Sequence, residues 1–447
     1  MSESFQKTPI LDTLENYLSR NPIRMHVPFH AGIANNPIFP KGLYELDISE
    51  VSGYDVAGED NPLFQSERIT AQYFKVAHSF YLTGGASVGL LAALFALNKY
   101  GKKVIVSRNV HKSVINGLVL SGLEPVWLEV EFLNEWGIFS SVQLSALKKC
   151  ISEANDLAGC IIVSPTYEGV ISDIKAISKI CHERNVPLVV DEAHGAHLYF
   201  LEPGSQSSAL KAQHSALKCG ADLVIQSWHK SLGSLTQTGV LHLVNDAYFS
   251  YKDIKRSLDL VSSTSPSFLL LLSLELTRKK LAETQGCYFE TLFKNVLLFK
   301  SELEKIDSLS IFKNQDPLKV YLKSNNVSGI NFAFELYKRF SVEVESANEI
   351  GLLMQIGVNF NDKVMNKVIE SINKCIIGQW TRDKRQTTRK SQVPSPLLHY
   401  VCSPREAFLK GFHNKNMEYH TDVKAPCPPG YATSIPGMKI KELGDRS

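Results

Sequence analysis

Residues 187–197 read PLVVDEAHGAH, and residues 221–233 read ADLVIQSWHKSLG. Both contain a short apolar run, Pro187–Asp191 and Asp222–Gln226, of the kind that a parallel sheet buries on both faces. Both then break into polar chemistry, at Asp191 in the first and at Ser227, His229 and Lys230 in the second. Four more compact runs surround them: Lys103–Ser107, Pro125–Leu128, Cys160–Ser164 and Gly239–Leu243. Helical stretches lie between, such as Ser172–Asn185, where Ile174, Ile177 and Cys181 recur at helical spacing behind Ser172 and Asp173. The alternation from about residue 70 to 245 predicts an α/β domain around a mainly parallel sheet. Such sheets place ligands at the carboxyl ends of their strands, which is where Asp191 and Lys230 fall.

Taken singly, Asp191 reads as a structural carboxylate capping the next helix, and Lys230 as an exposed amine. As a pair 39 residues apart, they match what pyridoxal phosphate chemistry requires: a lysine able to form a Schiff base and a carboxylate facing the pyridinium nitrogen. The carboxylate keeps that nitrogen protonated, so the ring accepts the electron pair left on Cα when a bond to it breaks. The phosphate calls for a helix N-terminus with free amides, and Gly84-Gly85-Ala86-Ser87 ahead of the apolar helix Val88–Leu97 supplies one. Ser227 and His229 are the other candidate phosphate contacts.

These segments resemble the Orn/Lys/Arg decarboxylases, the group III family of pyridoxal-phosphate enzymes. The resemblance rests on DEAHGAH, SWHKSL, RNVHKSVINGLVLSG (108–122) and SSTSPSF (262–268). It continues through YLTGGASVGLLAAL (81–94), SPTYEGVISDI (164–174), DPLKVYLKSNNVSG (316–329), VEVESAN (342–348), SPREAF (403–408) and CPPGYATSIPG (427–437). It covers nearly the whole chain in order. It implies the aspartate aminotransferase superfamily fold: a large cofactor domain, a smaller α+β domain and a short C-terminal lobe. It also implies that Lys230 forms the internal aldimine, that Asp191 binds the pyridine nitrogen, and that His111 stacks on the ring. His194 would sit near the phenolic oxygen, and Thr264 or Ser265 would reach the phosphate of a neighbouring protomer. The activity implied is decarboxylation of lysine, arginine or ornithine through an external aldimine and a quinonoid, with His229 or Lys230 returning a proton to Cα. His197 divides evenly between a functional and a structural role.

A cationic substrate needs an anionic partner, and Asp47, Glu50, Glu59, Asp60 and Glu345 are candidates, each also readable as a plain surface carboxylate. The chain departs from the family at three places. Gly84-Gly85-Ala86-Ser87 lacks one amide side chain and one hydroxyl of the usual phosphate turn. Pro28-Phe29-His30-Ala31 keeps the family's His but not the Lys after it, and Met438 stands where an acidic residue is usual. Two alternatives stay open: an α-oxoamine synthase-like enzyme, which the Asp-x-x-His-Gly pattern also resembles, and a non-catalytic relative acting as a binding or regulatory subunit.

The 447 residues exceed any single small module and correspond to about three folding units. Sequence segmentation predicts an N-terminal segment plus large domain over 1–290, a small domain over 291–380, a basic linker over 381–396 and a lobe over 397–447. The small domain is expected from Leu318–Leu322, Gly329–Arg339, Val342–Val344 and a helix near Lys363–Ile377, after a long helical stretch at roughly 266–306. Lys and Arg number 48 against 45 Asp and Glu, too near balance to mark a nucleic-acid or membrane surface. Eight scattered cysteines without a C-x-x-C pair argue against zinc or a secreted disulfide framework. With no apolar leader in MSESFQKTPILDTLENYLS, which reads as an amphipathic helix, a cytoplasmic protein is expected, and the resemblance implies a homo-oligomer with shared active sites.

Overall fold

The computed structural model describes residues 3–33, 38–49, 51, 53–54, 58–201, 215–377 and 402–411, and in the tail 420, 422–423, 425, 431, 435–436 and 438. The predicted linker 381–396, Glu50 and Cys427 lie outside the described residues.

Seven strands form the large sheet: β1 (His78–Leu82), β2 (Lys103–Ser107), β3 (Glu124–Leu128), β6 (Leu157–Val163), β7 (Leu188–Asp191), β8 (Leu223–Gln226) and β9 (Gly239–Leu243). A two-strand hairpin, β4 (Phe132–Leu133) and β5 (Ile138–Phe139), intervenes after β3. The sheet order is β3-β2-β6-β7-β8-β9-β1. The neighbours from β3 to β8 are parallel, and β9 is antiparallel to both β8 and β1. Every strand from β6 to β9 is buried almost throughout, which is why each reads as an apolar run. Helices cover both faces, giving two hydrophobic clusters, one built on Ile105, Ile162 and Val190 and the other on Val106, Ile161 and Val189.

On the second face the helix Gly85–Leu97 packs against Lys112–Ser121 so closely that a Cβ at Gly117 would lie 2.2 Å from Leu94 Cδ1. The helix begins at Gly85, whose φ of +74° favours glycine. A Cβ on Gly239 would lie 2.8 Å from the Gln226 carbonyl and 3.0 Å from the Ala86 amide. The start of β9 is thereby drawn against the end of β8 and the first turn of that helix.

The smaller sheet runs β10 (Leu309–Ile311), β11 (Lys319–Ser324), β13 (Leu352–Gln355), β12 (Ser346–Ala347). Helices Gly329–Phe340 and Asp362–Ile377 accompany it. Residues 342–344, expected in this α+β region, are irregular, and the short strand begins at Ser346. The long helical stretch is two helices, Phe268–Thr284 and Cys287–Leu303, broken where Gln285 and Gly286 both take positive φ. No helix among the described residues is long and apolar enough to cross a membrane.

The N-terminal helix Pro9–Ser19 is held on this scaffold by buried charge. Thr8 gives no side-chain cap; instead Glu275 accepts from the Ile10 amide (3.1 Å) and the Leu11 amide (2.9 Å). Arg278, also fully buried, donates to the Phe5 carbonyl and to the Lys7 carbonyl. Glu275→Ala orphans two helix-terminal donors and leaves Arg278 without its neighbouring carboxylate. The expected loss is about 2 kcal/mol, read as a lower urea midpoint with earlier proteolysis near residue 10.

A second prediction concerns pH. His242 on β9 is buried between Phe74 and Ser79, with Nδ1 2.9 Å from Ser79 Oγ, and burial draws its pKa down to about 3. The unfolded chain, with a histidine pKa of about 6.5, takes up this proton first as pH falls. Stability is therefore lost between about 6.5 and about 3, by up to about 1.4 kcal/mol per pH unit. In urea titrations the midpoint of the wild type should fall more between neutral and mildly acidic pH than that of His242→Asn.

Candidate active site

The carboxyl ends of β2, β6, β7 and β8 open onto one cavity of about 450 Å³. Gly84–Ser87, Asn109, His111, Asp191, His194, Ser227, His229, Lys230 and Tyr431 are among its lining residues. Every residue predicted for the lysine, ring and phosphate contacts within one chain lines it, whereas Thr264 and Ser265 lie exposed in the turn before Phe268, outside it, and the candidate substrate carboxylates and His197 are not among its lining residues.

Asp191 closes β7 and is almost entirely buried, with Oδ1 accepting from the Ala193 amide at 3.1 Å. Burial pushes its carboxyl above the usual range, and the Lys230 charge pulls the other way. Lys230 sits on the short helical turn Trp228–Ser231 after β8, with Nζ 2.9 Å from His194 Nε2. His111 caps the helix Lys112–Ser121: Nδ1 accepts from the Ser113 amide at 3.2 Å and pairs with Ser113 Oγ at 2.8 Å. Ser113 Oγ in turn lies 2.7 Å from Ser87 Oγ, tying the ring to the first turn of the helix Gly85–Leu97. Burial, then the charges of Lys230 and Lys112, draw His111 down to about 4, so it is neutral near pH 7. His229 donates from Nδ1 to the Thr238 carbonyl at 2.7 Å, which leaves Nε2 as its acceptor.

Sequence reasoning missed three residues here. Lys319, fully buried on β11, places Nζ 3.2 Å from His194 Nδ1 and 5.2 Å from the Tyr167 ring centroid. Its signal was present in DPLKVYL, a lysine inside an apolar strand. Tyr167 packs edge-on against His194 and donates to Glu345 Oε1 at 2.6 Å. Tyr431 comes from the tail: its backbone bridges His111, and its hydroxyl accepts from the Tyr167 amide and donates to Glu168 Oε2, both at 3.1 Å. The tail helix Pro404–Gly411 packs on the helix Lys112–Ser121, with Arg405 donating to the Leu120 carbonyl at 2.8 Å.

His197 takes the structural role, paired with Asp316 at 2.7 Å, both fully buried. Of the candidate carboxylates for a substrate cation, Glu345 is hydrogen-bonded to the lining residue Tyr167, Asp47 pairs with His30 at 3.2 Å, and Glu59 and Asp60 are exposed.

These residues fit pyridoxal phosphate by the chemistry of their donor set. A primary amine, a buried carboxylate and a flat neutral imidazole converge with a helix N-terminus and two hydroxyls, Ser87 and Ser227. Asn109 Oδ1, in a residue on the cavity wall, is buried with no hydrogen-bond partner. Asp191, holding one backbone donor, is suited to a protonated ring nitrogen.

The family model described as Orn/Lys/Arg decarboxylase, major domain, matches residues 8–343. An arginine decarboxylase of Bacillus subtilis (strain 168) is 28% identical over 463 residues, covering 98% of this chain and 92% of its own. An arginine decarboxylase of Bacillus cereus is 26% identical over 455 residues, covering 96% of each. Among solved structures, the constitutive lysine decarboxylase of E. coli superposes with a TM-score of 0.79 at 15% identity, over 98% of this chain and 76% of that one. At that identity the likeness speaks for the fold.

Tyr431→Phe keeps the ring packed on Phe139 but removes the hydroxyl that satisfies both the Tyr167 amide and the buried Glu168 carboxylate. The expected cost is about 1–3 kcal/mol, seen as a lower thermal midpoint.

Proposed function

Because the chain belongs to the Orn/Lys/Arg decarboxylase family, we propose that it decarboxylates a basic amino acid in this cavity, with arginine as the first substrate to test. The observation that carries the reading is the convergence of Lys230, Asp191, His111 and His194 with the turn Gly84–Ser87 on a single cavity. That convergence also speaks against a non-catalytic subunit, and the family is that of the decarboxylases rather than the α-oxoamine synthases.

When bound, pyridoxal phosphate supplies an electron sink for the pair released as the Cα–carboxylate bond breaks. Lys230 Nζ would hold it covalently, Asp191 would keep its ring nitrogen protonated, and His111 would pack against the ring. The amides of Gly85, Ala86 and Ser87, with the Ser227 hydroxyl, would hold the phosphate, and His229 would join them only with a proton on Nε2. A neutral His111 adds no charge to compete with Asp191. Lys230 Nζ would deliver the proton to Cα, a role open to His229 only once its Nε2 has gained a proton, and Tyr431 and Tyr167 line the same cavity. Glu345, held by the Tyr167 hydroxyl, is the carboxylate favoured here for the substrate's distal cation.

The working unit proposed is a homodimer or larger homo-oligomer. Ile23, Met25 and Phe29 in the N-terminal segment are 90%, 91% and 101% exposed, apolar surface suited to a second copy of the chain. Thr264, exposed on its own subunit, remains the candidate contact to a partner's phosphate site. A cytoplasmic setting is retained as part of the proposal. The domain division near residue 290 is retained as a proposal; it falls inside the helix Cys287–Leu303 that leads into the smaller sheet.

Purified protein supplied with the cofactor should develop visible absorbance and release CO₂ from L-arginine, L-lysine or L-ornithine without any acyl thioester. Lys230→Ala should lose both signals, and Asp191→Asn should lower kcat/KM on the order of a hundredfold. Absorbance that persists in Lys230→Ala would overturn the assignment.

A further inference from the structure

His194 lies between two lysines. Nε2 is 2.9 Å from Lys230 Nζ and Nδ1 is 3.2 Å from Lys319 Nζ. Burial first, and then the charge of Lys319, hold the ring well below its ordinary pKa and therefore neutral. A neutral imidazole has one N–H and one lone pair, and an ammonium has donors only. Two ammonium groups cannot both be satisfied by one neutral ring, so one of the lysines must offer a lone pair.

The surroundings decide which. Lys319 feels the carboxylates of Asp316, Glu345 and Glu168 from three different segments, and its Nζ lies over the Tyr167 ring. Burial lowers its pKa, while Asp316 and Glu345 act to retain its proton. Lys230 faces the positive Lys319, the neutral rings of His111, His194 and His229, and the buried Asp191.

We propose that Lys319 is a positioning residue that keeps the proton and donates to His194 Nδ1. His194 is thereby fixed as the Nε2–H tautomer, and Lys230 is held as a free amine accepting from it. This rests on the reading of Lys230 as the cofactor-bearing lysine. In the condensation it serves, the Nζ lone pair forms a C–N bond to the cofactor's aldehyde carbon. The two Nζ hydrogens leave with the carbonyl oxygen as one water, so no external reagent is needed. An ammonium at Lys230 has no lone pair for this step, and a neighbouring cation is an established way of suppressing one.

The tautomer can be read without cofactor, by ¹⁵N NMR of histidine-labelled full-length protein with the His194 signal identified by its loss in His194→Asn. The Nε2–H form is expected near neutral pH; an Nδ1–H form or an imidazolium overturns the proposal. A second arm follows visible absorbance as pyridoxal phosphate is added to cofactor-free protein. Lys319→Met should load about tenfold more slowly near neutral pH and recover in alkali, because one unit in an amine pKa changes its free-base fraction about tenfold. A loading rate and pH profile equal to those of the wild type overturn it. If Lys319→Met does not fold, the wild-type tautomer still decides. Wild-type protein that never gains visible absorbance would overturn the cofactor reading instead, a result separate from the tautomer.

Discussion

The parallel ladder between β7 and β8 sets the position of everything chemical in this protein. It pairs Val189 with Leu223, Val190 with Val224 and Asp191 with Ile225, so Asp191 ends its strand level with the last turn of residues before Ser227. A slip of one residue would turn Asp191 to the opposite face of the sheet, because side chains alternate along a strand. The ladder is apolar on both faces, which makes that slip costly and the register firm. The antiparallel β9 then enters against β8, and the absence of a side chain at Gly239 lets it bring the first turn of the helix Gly85–Leu97 to the same rim.

At that rim the protein gathers groups that water would ordinarily stabilise. Asp191, Glu168 and Lys319 are buried and His194 is half-buried, and desolvation is the first influence on the ionisation of each. Each is held by a specific neighbour: an amide for Asp191, two amines for His194, the Tyr431 hydroxyl for Glu168. Removing one partner leaves another group buried and unsatisfied, so the site behaves as a unit. Such desolvated clusters are the places where a fold accepts a cost for the sake of chemistry.

Much of this was legible in the sequence because burial on both faces writes itself locally. The six expected strands are present with ends shifted by three residues at most, and Asp191, Lys230, His111 and Ser87 all reach the cavity. β1, HSFYL, opens on a half-buried histidine and is not among the six expected runs. The break at Gln285–Gly286 was hidden because the apolar pattern runs on through both helices. The contacts of His194 with Lys319, of Tyr431 with Glu168 and of His197 with Asp316 join residues more than a hundred positions apart. No local pattern encodes them, and DPLKVYL showed only that a lysine stood where a strand should be apolar.

Tyr431 bears on how the molecule comes into being. Of the described residues that line the cavity it is the last in the chain, and it touches His111 and Glu168, which are translated far earlier. A ribosome that has finished the whole sheet and released Lys230 from its tunnel still holds a basin without this wall, with the Glu168 carboxylate lacking the Tyr431 hydroxyl. The cavity acquires the Tyr431 wall only when that segment emerges, so completion of the site is tied to synthesis of the tail rather than to the folding of the sheet.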